Sequence, residues 1–178
     1  MFFHVRDLEL RAGRFDVELP VGAIEYLDSK LRQTSPLKAV GKVELVTGAL
    51  GEIRVSGHVT VNMQADCDRC LEPAPCAVDS DFALYYRPVE SGYQEETALD
   101  EGEAEMGFYE GDGIELNDVL REHVLLTLPM QRLCSENCKG ICPVCGQNRN
   151  QKECGCRAAQ ADDRWSALKE FHHSKIGN

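Results

Sequence analysis

Ile53, Val55, Gly57, Val59, Val61, Met63 and Ala65 alternate without a break with Arg54, Ser56, His58, Thr60, Asn62 and Gln64. A two-residue period puts every apolar side chain on one face of an extended chain, so this run predicts a long strand with one buried side. Val78 to Tyr86 repeats the pattern, and Gly41 to Thr47 predicts a shorter strand. Gly48-Ala49-Leu50-Gly51 lies between two of these runs and supplies the turn expected of antiparallel neighbours. Phe15, Val17 and Leu19 also alternate and stop at Pro20-Val21-Gly22, while Ile24 to Leu31 reads as a short helix ahead of Ser35-Pro36. Further on the period changes. Leu116, Val119, Leu120, His123, Val124 and Leu128 recur every three or four positions, which predicts an amphipathic helix. Asn117 or Asp118 is the expected cap and Pro129 the stop. His123 falls on the apolar stripe, where a packed histidine is expected in place of a ligand or base. A last helix is predicted from Asp162 or Asp163, with Trp165, Leu168 and Phe171 on one face and His172-His173 as a solvated tail.

These elements predict an α+β protein. Residues 1–88 read as an antiparallel β-rich body of barrel or sandwich type, and residues 89–112 as an acidic, solvated loop. Residues 113–178 read as the amphipathic helix plus a cysteine-rich segment, packed on the body and ending in a helix. A length of 178 residues suits one domain, or one with a small appendage, and 43% hydrophobic with 28% charged residues is ordinary for a soluble protein. The opening Met1-Phe2-Phe3-His4-Val5-Arg6-Asp7 is too short and polar for a secretory leader, and no run approaches a membrane span. The expected location is the cytoplasm, with no membrane partner.

Charge is unevenly distributed. The formal net charge is −11, and between Arg87 and Arg121 there is no Lys or Arg against eleven Asp and Glu. The rest of the chain balances at 19 basic and 19 acidic residues, and from Met130 onward 8 Lys/Arg face 5 Asp/Glu. A broad basic footprint for nucleic acid is absent, so any RNA contact is expected to be local.

Eight of the nine cysteines occur in close pairs: Cys67 and Cys70, Cys134 and Cys138, Cys142 and Cys145, Cys154 and Cys156. In a reducing compartment such pairs read as metal ligands and not as a disulfide framework. Cys76 stands apart and shares the parity of Val78, Phe82, Leu84 and Tyr86, so it is expected in the core. Four thiolates complete a tetrahedral zinc shell, and eight suffice for two structural zinc ions. Cys142-Pro-Val-Cys145-Gly146 is the strongest signal, because the glycine relieves the positive φ such a turn needs. With Cys154 and Cys156 it closes a shell within fifteen residues, leaving Cys67, Cys70, Cys134 and Cys138 for a second. The other partition, Cys67 and Cys70 with Cys142 and Cys145, and Cys134 and Cys138 with Cys154 and Cys156, stays open on spacing alone.

Cys138-x3-Cys142-x2-Cys145 also matches the spacing that radical enzymes use for an iron–sulfur cluster, but only 33 residues follow it, too few for the required barrel. A closed four-cysteine shell keeps no position for water or substrate. The chain carries no Gly-rich phosphate loop, nucleophile elbow or His-Glu-x-x-His helix. The expectation is a protein that is not an enzyme and has no small-molecule substrate.

The combination Cys67-Asp-Arg-Cys70-Leu, Leu116 to Pro129, Leu133-Cys134-x3-Cys138-Lys-Gly-Ile-Cys142-Pro-Val-Cys145-Gly, Cys154-x-Cys156 and Asp163-Arg164-Trp-Ser-Ala-Leu168 resembles the YceD family. These are the large ribosomal RNA subunit accumulation proteins, long catalogued as a domain of unknown function. The resemblance implies a bacterial or plastid factor supporting accumulation and maturation of large-subunit ribosomal RNA, with that RNA or a ribosomal protein as partner. Lys139, Arg149, Lys152 and Arg157 are the candidate RNA or partner contacts, suited to phosphates and carrying no sequence information. The alternative is a zinc-stabilised protein-interaction scaffold that acts on RNA levels indirectly.

Overall fold

The computed structural model describes residues 1–48, 51–89 and 106–156. Its centre is a long antiparallel hairpin of β5 (Ile53–Asp66) and β6 (Pro73–Pro88), in register from Ile53 opposite Tyr86 to Asp66 opposite Pro73. β4 (Leu37–Leu45) pairs along the other edge of β5, and β2 (Gly13–Leu19) along the outer edge of β4. The two-residue β3 (Arg32–Gln33) continues the β4 row against Gln64 and Met63.

The alternation read from the sequence is the alternation observed. Ile53, Val55, Val59, Val61, Met63 and Ala65 are buried along β5, and Ala74, Cys76, Val78, Phe82 and Tyr86 along β6. Cys76 sits in the apolar core, as its parity required.

The sheet does not close. Its strands run in the order β2-β4-β5-β6-β7, with β2 and β7 as the two edges among the described residues, so the expected barrel is an open sheet. Nor is it wholly antiparallel. β7 (Met106–Tyr109) lies inside the stretch read as acidic loop and pairs with β6 in parallel. Four residues are too few to carry a recognisable period against the acidic background. Near the amino terminus, β1 (Phe2–His4) leads into the short helix α1 (Val5–Leu10) and pairs with β8 (Gly113–Glu115) as a separate two-stranded sheet.

Helix α2 (Leu116–Thr127) covers the apolar face of β6. Its buried residues are Leu116, Val119, Leu120 and Val124, the stripe that the three-to-four period marked. The expected cap at Asn117 or Asp118 is not formed. Glu115 takes the N-cap position without a side-chain cap bond, and Leu116 N donates to Met1 O at 2.9 Å. The amino-terminal strand thus meets the orphan amide that a capping side chain would otherwise take. His123 faces the sheet, its Nε2 3.0 Å from Ser80 Oγ and its ring 4.8 Å from that of Phe82.

Ile24 to Leu31, expected as a helix, forms turns. Ile24 and Leu31 are buried, but Asp28 breaks the segment: its Oδ1 accepts Lys30 N at 2.9 Å and its carbonyl accepts Leu31 N at 3.0 Å. Local carboxylate–amide bonds of this kind compete with helix. No helix among the described residues is long and apolar enough to cross a membrane. The predicted last helix, Arg157 and most of the acidic stretch lie outside the described residues.

Candidate metal centres

The turn between β5 and β6 is built by Cys67-Asp68-Arg69-Cys70. Leu71 N returns to Cys67 O at 2.9 Å and Cys67 N to Glu72 O at 2.8 Å, with Leu71 at φ 64°. The same construction recurs at Cys142-Pro143-Val144-Cys145. Gly146 N donates to Cys142 O at 2.9 Å, Cys142 N to Gln147 O at 2.9 Å, and Gly146 has φ 72°. Both turns point paired sulfurs to one side, the spacing effect read from the sequence.

The eight paired cysteines form two groups. Cys67, Cys70, Cys134 and Cys138 make one, and Cys142, Cys145, Cys154 and Cys156 the other, with the four sulfurs of each group within 4.8 Å of one another. This is the partition that spacing favoured. It also puts Cys138 in a different group from Cys142 and Cys145, so the apparent iron–sulfur triplet is not a triplet in space. In the first group Cys67 Sγ lies 3.8 Å from Cys138 Sγ, and Cys70 Sγ 3.5 Å from Cys134 Sγ. A tetrahedron of about 2.3 Å metal–sulfur bonds places its sulfurs about 3.8 Å apart. All nine cysteines are free, and these separations far exceed a disulfide bond. The donor set and its size fit a soft divalent ion.

The thiols are electrostatically divided. Burial raises Cys67, but the amides of Cys134, Arg69 and Cys70 outweigh it and bring the thiol down to about 6. The Glu72 amide lowers Cys70, yet burial and the sulfurs of Cys134, Cys138 and Cys67 push it up to about 12. In the second group the amides of Cys145 and Val144 hold Cys142 at about 6, while Cys145 beside it pushes Cys156 up to about 12. The Asn150 amide lowers Cys138 as well, so Cys67 and Cys138 in the first group and Cys142 in the second ionise most readily and oppose ionisation of the thiols held up beside them. A cation between them removes that opposition.

Several residues that cysteine spacing could not reveal hold the centres in place. Asp68 N donates to Arg132 O at 2.8 Å, and Arg132 N to Asp68 Oδ2 at 2.7 Å. Arg132 also pairs with Asp28 at 3.2 Å, so the turn segment of residues 20–31 braces the first centre. Arg69 donates to Cys138 O at 3.1 Å and accepts Ile141 N at 2.9 Å. Gly140, at φ 71°, lies so close that a Cβ would sit 2.9 Å from Arg69 O.

Asn150 joins the two centres. It belongs to the loop between Cys145 and Cys154, yet its Nδ2 donates to Cys138 Sγ at 3.2 Å and its Oδ1 accepts Lys139 N at 2.8 Å. Glu72 Oε1 accepts Asn148 Nδ2 at 3.3 Å and Gln151 Nε2 at 3.0 Å, tying that loop to the hairpin end as well.

The basic candidates divide. Lys139 pairs with Glu153 at 3.1 Å, whereas Arg149 and Lys152 are exposed and make no ion pair among the described residues.

The first centre is buried at Cys67, Cys70 and Cys138; the second is open, with Cys145 and Cys156 exposed. The first joins positions 71 and 64 residues apart, while the second closes a local loop.

Comparison with known proteins gives the chain its relatives. It is 31% identical over 119 residues to a Mycobacterium tuberculosis protein named only as uncharacterized, covering 67% of this chain and 55% of that protein. It is 29% identical over 173 residues to the Zea mays protein named large ribosomal RNA subunit accumulation protein YCED homolog 1, chloroplastic, covering 83% of this chain and 57% of that one. The chain thus spans little more than half the length of both. An uncharacterized Bacillus subtilis protein, YlbN, is 22% identical over 171 residues and covered over 93% of its length. No solved structure gives a significant match. The family described as large ribosomal RNA subunit accumulation protein YceD matches residues 55–172, from β5 through both cysteine groups, and the chain belongs to that family.

Proposed function

We propose that this protein is a non-enzymatic factor supporting the accumulation and maturation of large-subunit ribosomal RNA, its cysteine end held rigid by two structural zinc ions. The observation that carries this reading is the pairing of family membership with two separate four-sulfur groups. Four sulfurs complete a tetrahedral shell and leave no position where water or substrate could react, which argues for a structural role. When bound, zinc supplies charge neutralisation and a crosslink. Amide donors, Asn150 and the Asp68–Arg132 pairing orient the sulfurs toward it.

RNA contact falls to Arg149 and Lys152, exposed beside the second centre, with Lys139 and Arg157 in support. Such cations bind phosphate without reading sequence, so affinity is modest and falls as salt rises. The location that goes with this role is the compartment in which ribosomes are assembled.

The test replaces Lys139, Arg149, Lys152 and Arg157 by Glu and measures crosslinking of the protein to precursor large subunits in growing cells. Loss of the crosslink with both metals retained supports direct RNA contact. An unchanged crosslink would sink it and favour a scaffold that acts through a protein. Elemental analysis is expected to give two zinc ions per chain, and iron or no metal would overturn the assignment of the centres.

A further inference from the structure

At the end of the β5–β6 hairpin remote from the cysteines, α2, β7 and the β1–β8 pair enclose a groove of about 560 Å³. Its Tyr86 lies opposite Ile53 at one end of β5, and the first centre begins at Cys67, just past the other end. Phe2, Phe108 and Leu125 give it an apolar wall, and the two phenylalanines are 43% and 46% exposed.

Glu110, Glu115, Asp118 and Glu122 line it against one cation, Arg121, and give it an anionic rim. Glu122 accepts Tyr86 OH at 2.7 Å and Asp118 pairs with Arg121 at 2.9 Å, while Glu110 makes no ion pair among the described residues.

Exposed aromatic surface beside a lining with four carboxylates and one guanidinium selects its occupant. A nucleic acid is repelled by the rim, and a purely apolar segment leaves Glu110 and the net negative charge of the lining unmet. A Lys or Arg side chain satisfies both, its stem lying on the apolar wall and its charged head at the carboxylates.

We propose that this groove docks a basic peptide segment of a protein partner, one that carries Lys or Arg beside an apolar side chain. The apolar side chain packs on Phe2 and Phe108, and the cation meets Glu110 and Asp118. This surface is separate from the cysteine end and does not depend on what that end binds.

The experiment is fluorescence anisotropy of the full chain with a labelled Lys-Leu-Lys-Arg-Leu-Lys peptide at about 0.15 M salt. Changing Glu110→Lys together with Asp118→Lys is expected to weaken binding by about tenfold or more, and Phe108→Ser by several-fold. The charge-matched pair Asp16→Lys and Glu18→Lys, on the exposed side of β2, is expected to change it by less than about twofold. If the lysine pair at the groove impairs folding, Glu110→Gln with Asp118→Asn removes the charge without reversing it and is expected to weaken binding in the same direction. Replacing both leucines of the probe by serine is expected to weaken binding as well. The proposal is overturned if the probe does not bind, if the β2 pair weakens it as much as the groove pair, or if the serine peptide binds equally well. It is also overturned if a short RNA competes for the groove.

Discussion

Leu71 and Gly146 stand in equivalent places, one residue past the second cysteine of a Cys-x2-Cys turn, at φ 64° and 72°. For leucine that conformation costs about 1–2 kcal/mol, because its Cβ crowds the following carbonyl oxygen. Glycine has no Cβ, although it forfeits part of the gain by having more freedom to lose on folding. Leu71→Gly is therefore expected to stabilise the metal-saturated protein by about 1 kcal/mol, read as a rise of about 2–4 °C in melting temperature. Asn150 makes a different case. Its amide donates to Cys138 Sγ at 3.2 Å from a loop that belongs to the other centre. Asn150→Ala should lower metal affinity at the Cys67 group by about tenfold or more, measured by chelator competition, while the Cys142 group keeps its ion. Equal loss at both centres would show that Asn150 merely shapes the loop.

Among the elements, α2 owes its place to the face it buries and not to its cap. His123 sits within that face, and burial holds its imidazole below the usual histidine range. Because the folded value is depressed, the unfolded chain takes up the proton first. The neutral ring's contribution is complete above about pH 6.5 and is lost as pH falls through the folded value. Acid also releases metal from thiolates, so the signal is the difference between proteins. The thermal stability of His123→Gln is expected to fall less steeply than that of the parent below about pH 6.5. Parallel curves would remove His123 from the balance. At this scale much of the chain was readable: β2, β5, β6 and α2 follow from periods of two or of three to four residues, whereas β4 begins at Leu37, four residues ahead of the strand read from Gly41, and ends at Leu45. Ile24 to Leu31 was misread because its two apolar anchors have helical spacing, while Asp28 bonds its own turn and pairs with Arg132, 104 residues away.

For the molecule as a whole, the two centres do unequal work. The first joins the β5–β6 turn to the segment after α2, closing loops of 64 and 71 residues. The second closes fifteen residues at the surface. Crosslinks across long loops restrict the unfolded chain more, so their loss costs more. Cys67→Ser is expected to lower the melting temperature well beyond Cys145→Ser. Hydrogen exchange should locate the loosening caused by Cys145→Ser within residues 139–156. A global loss from Cys145→Ser equal to that from Cys67→Ser would contradict this division.

Local chemistry is written in the order of residues. Alternation marked the longer strands, three-to-four spacing the helix α2, and Cys-x2-Cys with a following glycine a turn able to aim two sulfurs together. Each is a near-neighbour effect, and near neighbours are what a sequence displays. How the four cysteine pairs divide, that the sheet stays open with a parallel edge strand, and that an acidic groove forms between α2 and β7 depend on residues scores of positions apart. Those were settled by burial and hydrogen bonding in the folded body, where Asp68, Arg69, Arg132 and Asn150 meet partners that no local pattern indicates.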